Sequence, residues 1–94
     1  MMIKESIIEK KSCAWAKLTF GIRSFKITTY VGVPDRLFLH KGKVIFVEFK
    51  RLGEKPRVIQ EHVHRVLRDE GFTVYVVDNF ESFKLIVKEW TNAS

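Results

Sequence analysis

Two carboxylates and a lysine lie close together in the segment GVPDRLFLHKGKVIFVEFKR, which spans residues 32–51. Asp35 follows a proline, and Glu48 and Lys50 end the apolar run 44–47. Because side chains alternate along a strand, Glu48 and Lys50 are expected to share one face. A strand that served only the core would not need a carboxylate and an ammonium group at its end. These residues therefore indicate a site with chemistry of its own.

The two carboxylates are predicted to be neighbours, because the strand-like segments DRLFLH and KVIFVEFK are separated by a glycine that favours a tight hairpin turn. We expect the turn at residues 41–42, with Leu39 opposite Val44. The same register brings Asp35 beside Glu48. Two like charges about 4 Å apart cost roughly 4 kcal/mol at an effective dielectric near 20. A divalent cation would remove that penalty, and ligands that are all oxygen suit Mg²⁺ or Mn²⁺.

Each of these residues alone has an ordinary explanation. Glu48 and Lys50 would form a surface ion pair at a strand end, and Asp35 would be a turn residue after Pro34. Their combination is harder to explain in this way, because the chain is basic, with 17 Lys and Arg against 11 Asp and Glu and a formal charge of +6. The excess of positive charge favours a polyanionic partner, either nucleic acid or an anionic membrane surface.

The length and composition predict one ordered domain over residues 1–94. An apolar fraction of 46% is typical of a globular chain, and a core this small makes pairing with another subunit a reasonable expectation. Cys13 is the single cysteine, which excludes a disulfide within these residues and a cysteine-based zinc site and fits a reducing cytoplasm. We expect neither a membrane span nor a secretory signal, since charges interrupt the apolar residues near the start.

The apolar spacing predicts the order helix, strand, strand, strand, helix, strand, helix. The first strand is expected within SFKITTYVG, ending near Gly32. The last strand, FTVYVV, is almost wholly apolar and is expected to be buried on both faces. A strand, helix, strand crossover implies one parallel pair beside the hairpin. The fold class is therefore α/β, with a mixed sheet and helices on both of its faces.

Three helices are expected to pack on this sheet. The first would run from Ile3 to Phe20 and stop at Gly21, with apolar residues at helical spacing at Ile3, Ile7, Ala14 and Leu18 and with Ile8 and Trp15 beside them. Pro56 would lie in the first turn of the second helix, whose buried stripe would be Ile59, Val63, Val66 and Leu67. A capping box of Asp78 and Glu81 would begin the third helix, whose apolar face carries Phe83, Ile86, Val87 and Trp90.

The motif Gly-Val-Pro-Asp-Arg, followed by Val-Glu-Phe-Lys-Arg and then Gln60, resembles the virus-type replication-repair nuclease (VRR-NUC) domain. This domain is a branch of the restriction-endonuclease-like superfamily, whose signature is PD-(D/E)xK. The resemblance covers nearly the whole chain, from the first helix to the last, and points to a free-standing phage-type member. It implies a restriction-endonuclease-like mixed sheet flanked by helices, in the order αβββαβα.

The resemblance implies a metal-dependent deoxyribonuclease that hydrolyses phosphodiester bonds. Asp35 and Glu48 would bind Mg²⁺ or Mn²⁺ with the backbone carbonyl of Phe49. Lys50 would orient or activate the attacking water, and Gln60 would support the network of metal and water.

A glutamate of the first helix also belongs to the site of this family. Glu5 and Glu9 lie four residues apart on that helix, so both could face the same way. Glu5 matches the position near the helix start better and is the preferred ligand and catalytic residue, with Glu9 as the alternative.

Several residues flank the proposed site and are candidates for phosphate contacts, with Lys26 and Arg51 preferred among Ser24, Lys26, Arg36, Arg51, Lys55 and Arg57. His62 and His64 point about 200° apart on a helix, so they are not expected to chelate one zinc ion. We expect them on a solvated or DNA-facing surface instead.

The resemblance further implies a symmetric homodimer that acts in DNA repair on branched DNA such as Holliday junctions. The gene would belong to a phage or prophage, and the protein would work in the cytoplasm of the bacterial host. The alternative function is a non-catalytic basic α/β module that binds nucleic acid. A subunit that keeps the fold only for association is a third and less attractive hypothesis, because the set of site residues is complete.

Overall fold

The computed structural model describes residues 3–92. Its elements are α1 (Glu5–Phe20), β1 (Arg23–Lys26), β2 (Arg36–His40), β3 (Lys43–Phe49), α2 (Val58–Asp69), β4 (Thr73–Val77) and α3 (Phe80–Asn92). The strands form one sheet in the order β1-β2-β3-β4, in which β3 and β4 run parallel and the other neighbours antiparallel. The predicted α/β fold with a mixed sheet and the order αβββαβα is confirmed.

The hairpin of β2 and β3 has the predicted register. Leu39 pairs with Val44, and the two turn residues 41–42 both have positive φ, 49° and 80°. Two consecutive positive φ angles are typical of a turn whose twist matches that of the flanking strands. Asp35 immediately precedes β2, so one further step of this register brings it to Glu48.

One face of the sheet packs against α1 and α3. Phe83 of α3 lies over Phe38 and Phe49, at ring-centroid distances of 5.3 and 5.9 Å. The four residues predicted for the apolar face of α3 are buried in this core or packed against it: Phe83, Ile86, Val87 and Trp90. This packing fixes the end of β3, where the candidate site lies, to a rigid layer of aromatic rings.

The opposite face of the sheet is covered by α2. Phe46 and Glu48 point to this side, because they alternate with the core residues of β3. β4 is an edge strand, and its Thr73 and Val76 are exposed. The prediction that this strand is buried on both faces was wrong, since the edge position leaves part of it open.

The buried faces of α1 and α2 also differ from the predicted stripes. Ile3 precedes α1 and is exposed, as are Ile7 and Leu18 within it, whereas the buried residues of α1 are Ile8, Glu9, Ser12 and Ala16. In α2 the residues Ile59 and Val66 are exposed, whereas Gln60 and His64 are buried. Both helices carry apolar residues on more than one side, so apolar spacing alone selected the wrong face.

Several element ends also differ from the predictions, whereas the end of α1 agrees. α1 stops as expected at Gly21, which takes a left-handed conformation. β1 ends at Lys26 and not near Gly32, and α2 begins two residues after Pro56. The third helix is capped by Asn79, whose Oδ1 accepts the backbone N–H of Ser82 at 2.8 Å, and not by Asp78 and Glu81.

None of the helices within residues 3–92 is long and apolar enough to cross a membrane.

Candidate active site

Asp35, Glu48 and Lys50 come together at the carboxyl end of β3. Glu48 is 2% exposed and Lys50 is 7% exposed, and the Lys50 Nζ lies 3.8 Å from Glu48 Oε2. Asp35 is held in place because its Oδ2 accepts the backbone N–H of Phe49 at 2.8 Å. Lys50 is anchored through its own backbone N–H, which donates to the carbonyl of Val77 at 2.8 Å. Two carboxylates and a cation are thus fixed on neighbouring strand ends.

Gln60 connects the first turn of α2 to this group. Its side-chain Nε2 donates to Glu48 Oε2 at 3.0 Å, and its Oε1 accepts the backbone N–H of Arg57 at 2.8 Å. The amide of Gln60 is therefore oriented from both sides, and it can only present its donor to Glu48. The structure places this predicted residue at the site.

His64 was expected on a solvated surface, and the structure corrects this. Its side chain is 2% exposed, and its Nε2 lies 3.7 Å from Glu48 Oε1. Burial lowers the pKa of His64, with Arg68 and Lys50 adding to the effect, so the ring is neutral near neutral pH. The spacing from Gln60 to His64 is one helical turn, a signal that places the two on the same face and could have found this residue. His62 is exposed, as expected.

The pKa values of both Glu48 and Asp35 are raised, so both carboxyl groups hold their protons more tightly than usual. Burial raises the pKa of Glu48 to about 8, with the charge of Asp35 adding to the rise and that of Lys50 opposing it. Burial likewise raises the pKa of Asp35, although the hydrogen bond from Phe49 opposes the shift. A pair of this kind retains a proton at neutral pH unless another positive charge replaces it.

These residues fit a hard divalent cation. The donors are carboxylate oxygens, which Mg²⁺ and Mn²⁺ prefer, and a cation would take the place of the retained proton. No three side chains of His, Cys, Asp or Glu come together as a metal site within residues 3–92. The protein side chains would therefore supply only part of the coordination shell, which is usual for Mg²⁺.

The two glutamates of α1 occupy different environments. Glu9 is 6% exposed and its Oε2 lies 2.7 Å from Arg36 Nε and 3.2 Å from Lys26 Nζ. Glu5 is exposed, and its charge contributes to the raised pKa of Glu48. Glu9 is thus already neutralised by two cations, whereas Glu5 remains a prediction for the site.

The basic residues predicted to contact DNA fall into two groups. Lys26 and Arg36 are engaged with Glu9, although Lys26 is still about half exposed. Arg51 and Lys55 are exposed in the loop that follows Lys50. That loop is fixed by Asp78, whose Oδ2 accepts the backbone N–H of Gly53 at 2.9 Å. Their roles in DNA contact remain predictions.

No protein-family model matches the chain. A curated protein named "Putative nuclease p44", from Acyrthosiphon pisum secondary endosymbiont phage 1, is 41% identical over 80 residues, which cover 83% of this chain and 86% of that protein. The chain belongs to the p44 family. An alignment of that length includes the segment 35–60 wherever it begins, so the p44 family match spans the region of the candidate site.

Proposed function

We propose that this protein is a nuclease that uses Mg²⁺ or Mn²⁺ to hydrolyse phosphodiester bonds in DNA. The observation that carries the proposal is that Asp35 interacts with an almost fully buried Glu48, beside a buried Lys50. Such a group is poorly explained by a stabilising role, because the cost of burying charges can exceed the gain from pairing them. Membership of a family that includes a protein named as a nuclease supports the proposal, as does the resemblance to the VRR-NUC domain.

The proposed metal would be held by Asp35 and Glu48 with the backbone carbonyl of Phe49, and Glu5 would complete the set from α1. When bound, it would lower the pKa of a water molecule and stabilise the charge that builds up on the phosphate. Lys50 would orient the attacking water and place a positive charge beside the phosphate. The Lys50 Nζ is held for this role by two carboxylates, because Glu48 Oε2 and Glu54 Oε1 lie 3.8 and 3.9 Å from it.

The proposed partner is DNA, and the net charge of +6 supports this. Arg51 and Lys55 would contact phosphates next to the site. Lys26 and Arg36, which pair with Glu9, would contact phosphates elsewhere on the same DNA. Each phosphate contact releases counterions, so log K should fall by about 0.9 per contact for each tenfold rise in salt. Removing one of these residues should reduce the magnitude of this salt slope by about 0.9, which is the contribution of one phosphate contact.

We further propose a homodimer that acts on branched DNA such as Holliday junctions. Exposed apolar residues support a second copy as partner, because Tyr30 and Val31 are each 71% exposed, and Ile59 and Val66 of α2 are exposed as well. Gly32, which follows Tyr30 and Val31, lies against Ile59 and Val63 of α2. Two active sites in one dimer would cut two strands of a junction, in the cytoplasm of a bacterium that carries the phage or prophage.

The proposal is tested by incubating the purified protein with labelled junctions, flaps, forks and linear duplex, in Mg²⁺, Mn²⁺ or EDTA. We expect cleavage with either metal and none in EDTA. Tight DNA binding without cleavage in any metal would contradict the nuclease and would favour the non-catalytic binding module. Light scattering after size exclusion tests the dimer separately, with a mass near 11 kDa contradicting it.

A further inference from the structure

Two polar atoms in the site face each other without a hydrogen bond. Glu48 Oε1 and His64 Nε2 are both buried and both lack a hydrogen-bond partner, and they lie 3.7 Å apart. Buried polar atoms without partners are rare in folded proteins and each one calls for an explanation. Here each atom has the other as its neighbour, which points to a shared role.

The other oxygen of the same carboxylate is already bound by the same helix. Gln60 Nε2 donates to Glu48 Oε2 at 3.0 Å, and Gln60 and His64 lie one turn apart on the buried face of α2. Consecutive turns of α2 therefore present one polar group to each oxygen of Glu48. The Lys50 Nζ also lies near Oε2, at 3.8 Å.

We propose that His64 is a positioning residue, which donates a hydrogen bond from Nε2 to Glu48 Oε1 in the working site. With Gln60 it would hold both carboxylate oxygens in one orientation for the metal. This inference rests on the proposed metal-dependent function. The observed separation exceeds the usual 2.7–3.2 Å of such bonds by only about 0.5 Å, and catalytic hydrogen bonds are often long before the ligands bind.

A purely structural role explains His64 less well. An apolar side chain of similar size would fill the same space between α2 and β3 without leaving a nitrogen unsatisfied. The exposed His62 shows that the helix carries a second histidine two residues away without any such contact. His62 is therefore a matched control for substitutions of His64.

The length of the replacement side chain distinguishes the hydrogen bond from packing. His64→Gln keeps a donor at about the reach of Nε2, His64→Asn carries its donor too close to the backbone, and His64→Leu has none. Removing a hydrogen bond to a metal ligand costs about 10- to 100-fold in metal affinity. We expect His64→Asn and His64→Leu to bind Mn²⁺ at least about tenfold more weakly than wild type. His64→Gln and His62→Leu should stay within about threefold.

The Mn²⁺ dissociation constant is measured by calorimetry without DNA, on variants whose folding is checked by circular dichroism. The metal concentration for half-maximal cleavage should shift in parallel. Equal Mn²⁺ affinity in His64→Asn, His64→Leu and wild type would overturn the inference and leave the nuclease intact, and so would an equal loss in His64→Gln and His64→Asn. A wild-type protein that neither binds Mn²⁺ nor cleaves DNA would instead overturn the proposed function itself.

A second readout does not depend on the metal. A long-range proton–nitrogen NMR spectrum of the His64 ring reports which nitrogen carries the proton. The inference requires the proton on Nε2, because only that tautomer donates to Glu48. A proton on Nδ1 alone would overturn it, whatever the activity of the protein.

Discussion

The backbone N–H of Phe49 donates a 2.8 Å hydrogen bond to Asp35 Oδ2, and this bond ties the residue before β2 to the end of β3. Asp35 lies outside the regular strand, so the hairpin register alone does not fix its side chain. The carbonyl of Asp35 also accepts the N–H of Ile27 at 2.8 Å, which holds its backbone. The position of the Asp35 side chain thus depends on an oxygen that accepts the hydrogen bond from Phe49, whereas its proposed role as a metal ligand depends on its negative charge.

These two roles can be separated by substitution. Asp35→Asn keeps an oxygen acceptor for Phe49 and removes the charge, so we expect its free energy of unfolding to stay within about 1 kcal/mol of wild type. Cleavage should fall by at least about 10- to 100-fold, which is the loss typical when a group that only orients a metal ligand is removed. Asp35→Ala should also lose roughly 1–3 kcal/mol of stability. Urea denaturation and a cleavage assay measure both, and cleavage near wild type in Asp35→Asn would contradict the role of Asp35.

The raised pKa of Glu48 predicts how the stability of the metal-free protein depends on pH. The group has an ordinary pKa of 4.5 in the unfolded chain and about 8 in the folded one, so the folded state binds more protons between these values. The free energy of unfolding therefore falls as pH rises from 4.5 to about 8. Glu48→Gln carries no titrating group at this position, so its free energy of unfolding should fall less than that of wild type between pH 5 and pH 8.

Denaturation in EDTA at pH 5 and pH 8 tests this expectation. The exposed Glu61→Gln serves as the control, and its pH dependence should match that of wild type. If the free energy of unfolding changes equally between the two pH values in wild type and in Glu48→Gln, the pKa of Glu48 is not raised in the folded state.

Substitution of Glu9 should lower stability, whereas substitution of Glu5 should lower cleavage activity. Glu9 is buried against Arg36 and Lys26, so Glu9→Ala should cost roughly 1–3 kcal/mol of stability by leaving these cations without their partner. Glu5 is exposed, so Glu5→Ala should change stability by less than about 0.5 kcal/mol. Cleavage by folded Glu5→Ala should nevertheless fall. Thermal denaturation measures the stability of both variants, and cleavage rates measure their activity. Full activity in Glu5→Ala would contradict the role of Glu5 and favour Glu9 as the catalytic glutamate of α1.

Gly32 is predicted to be required for the loop that lies on α2. Its φ is +90°, and a Cβ atom there would lie 2.7 Å from Val63 Cγ2 and 2.8 Å from the carbonyl oxygen of Ile59. Gly53 also has positive φ, at +79°, but a Cβ would meet open space. Both alanine substitutions bear the cost of the left-handed backbone, about 1 kcal/mol. Gly32→Ala should cost roughly 1–3 kcal/mol more, and equal losses in urea denaturation would contradict the close contact.

The local parts of this fold follow from the sequence. The period of two in β2 and β3, with a turn that tolerates positive φ at Gly42, set the register and brought Asp35 to Glu48. The crossover between β3 and β4 required a parallel pair, which the sheet has. The same alternation placed Lys50 on the face of Glu48. These predictions depend on neighbouring residues, so a single sequence was sufficient.

The buried faces of the helices depend on distant residues and were not predicted. Glu9 and Ser12 are buried in α1, and the partners of Glu9 lie 17 and 27 residues further along the chain. His64 is buried on the same face of α2 as Gln60, and the one-turn spacing between these two residues is the only sign of this in the sequence. Polar residues that are buried in a site look like surface residues in the sequence, so apolar spacing favours Ile7 and Leu18 for the core over Glu9 and Ser12.

Cleavage by a Lys50→Met variant tests the central claim most directly. Methionine keeps the buried stem of Lys50 and removes the charge beside Glu48, so folding and DNA binding should persist. The control is Lys88→Met, which removes an exposed charge on α3. We predict that wild type and Lys88→Met cleave branched DNA with Mg²⁺ or Mn²⁺, while Lys50→Met binds the same DNA and cleaves it at least about 100-fold more slowly. Cleavage by Lys50→Met at the rate of Lys88→Met would contradict the placement of the active site at the end of β3.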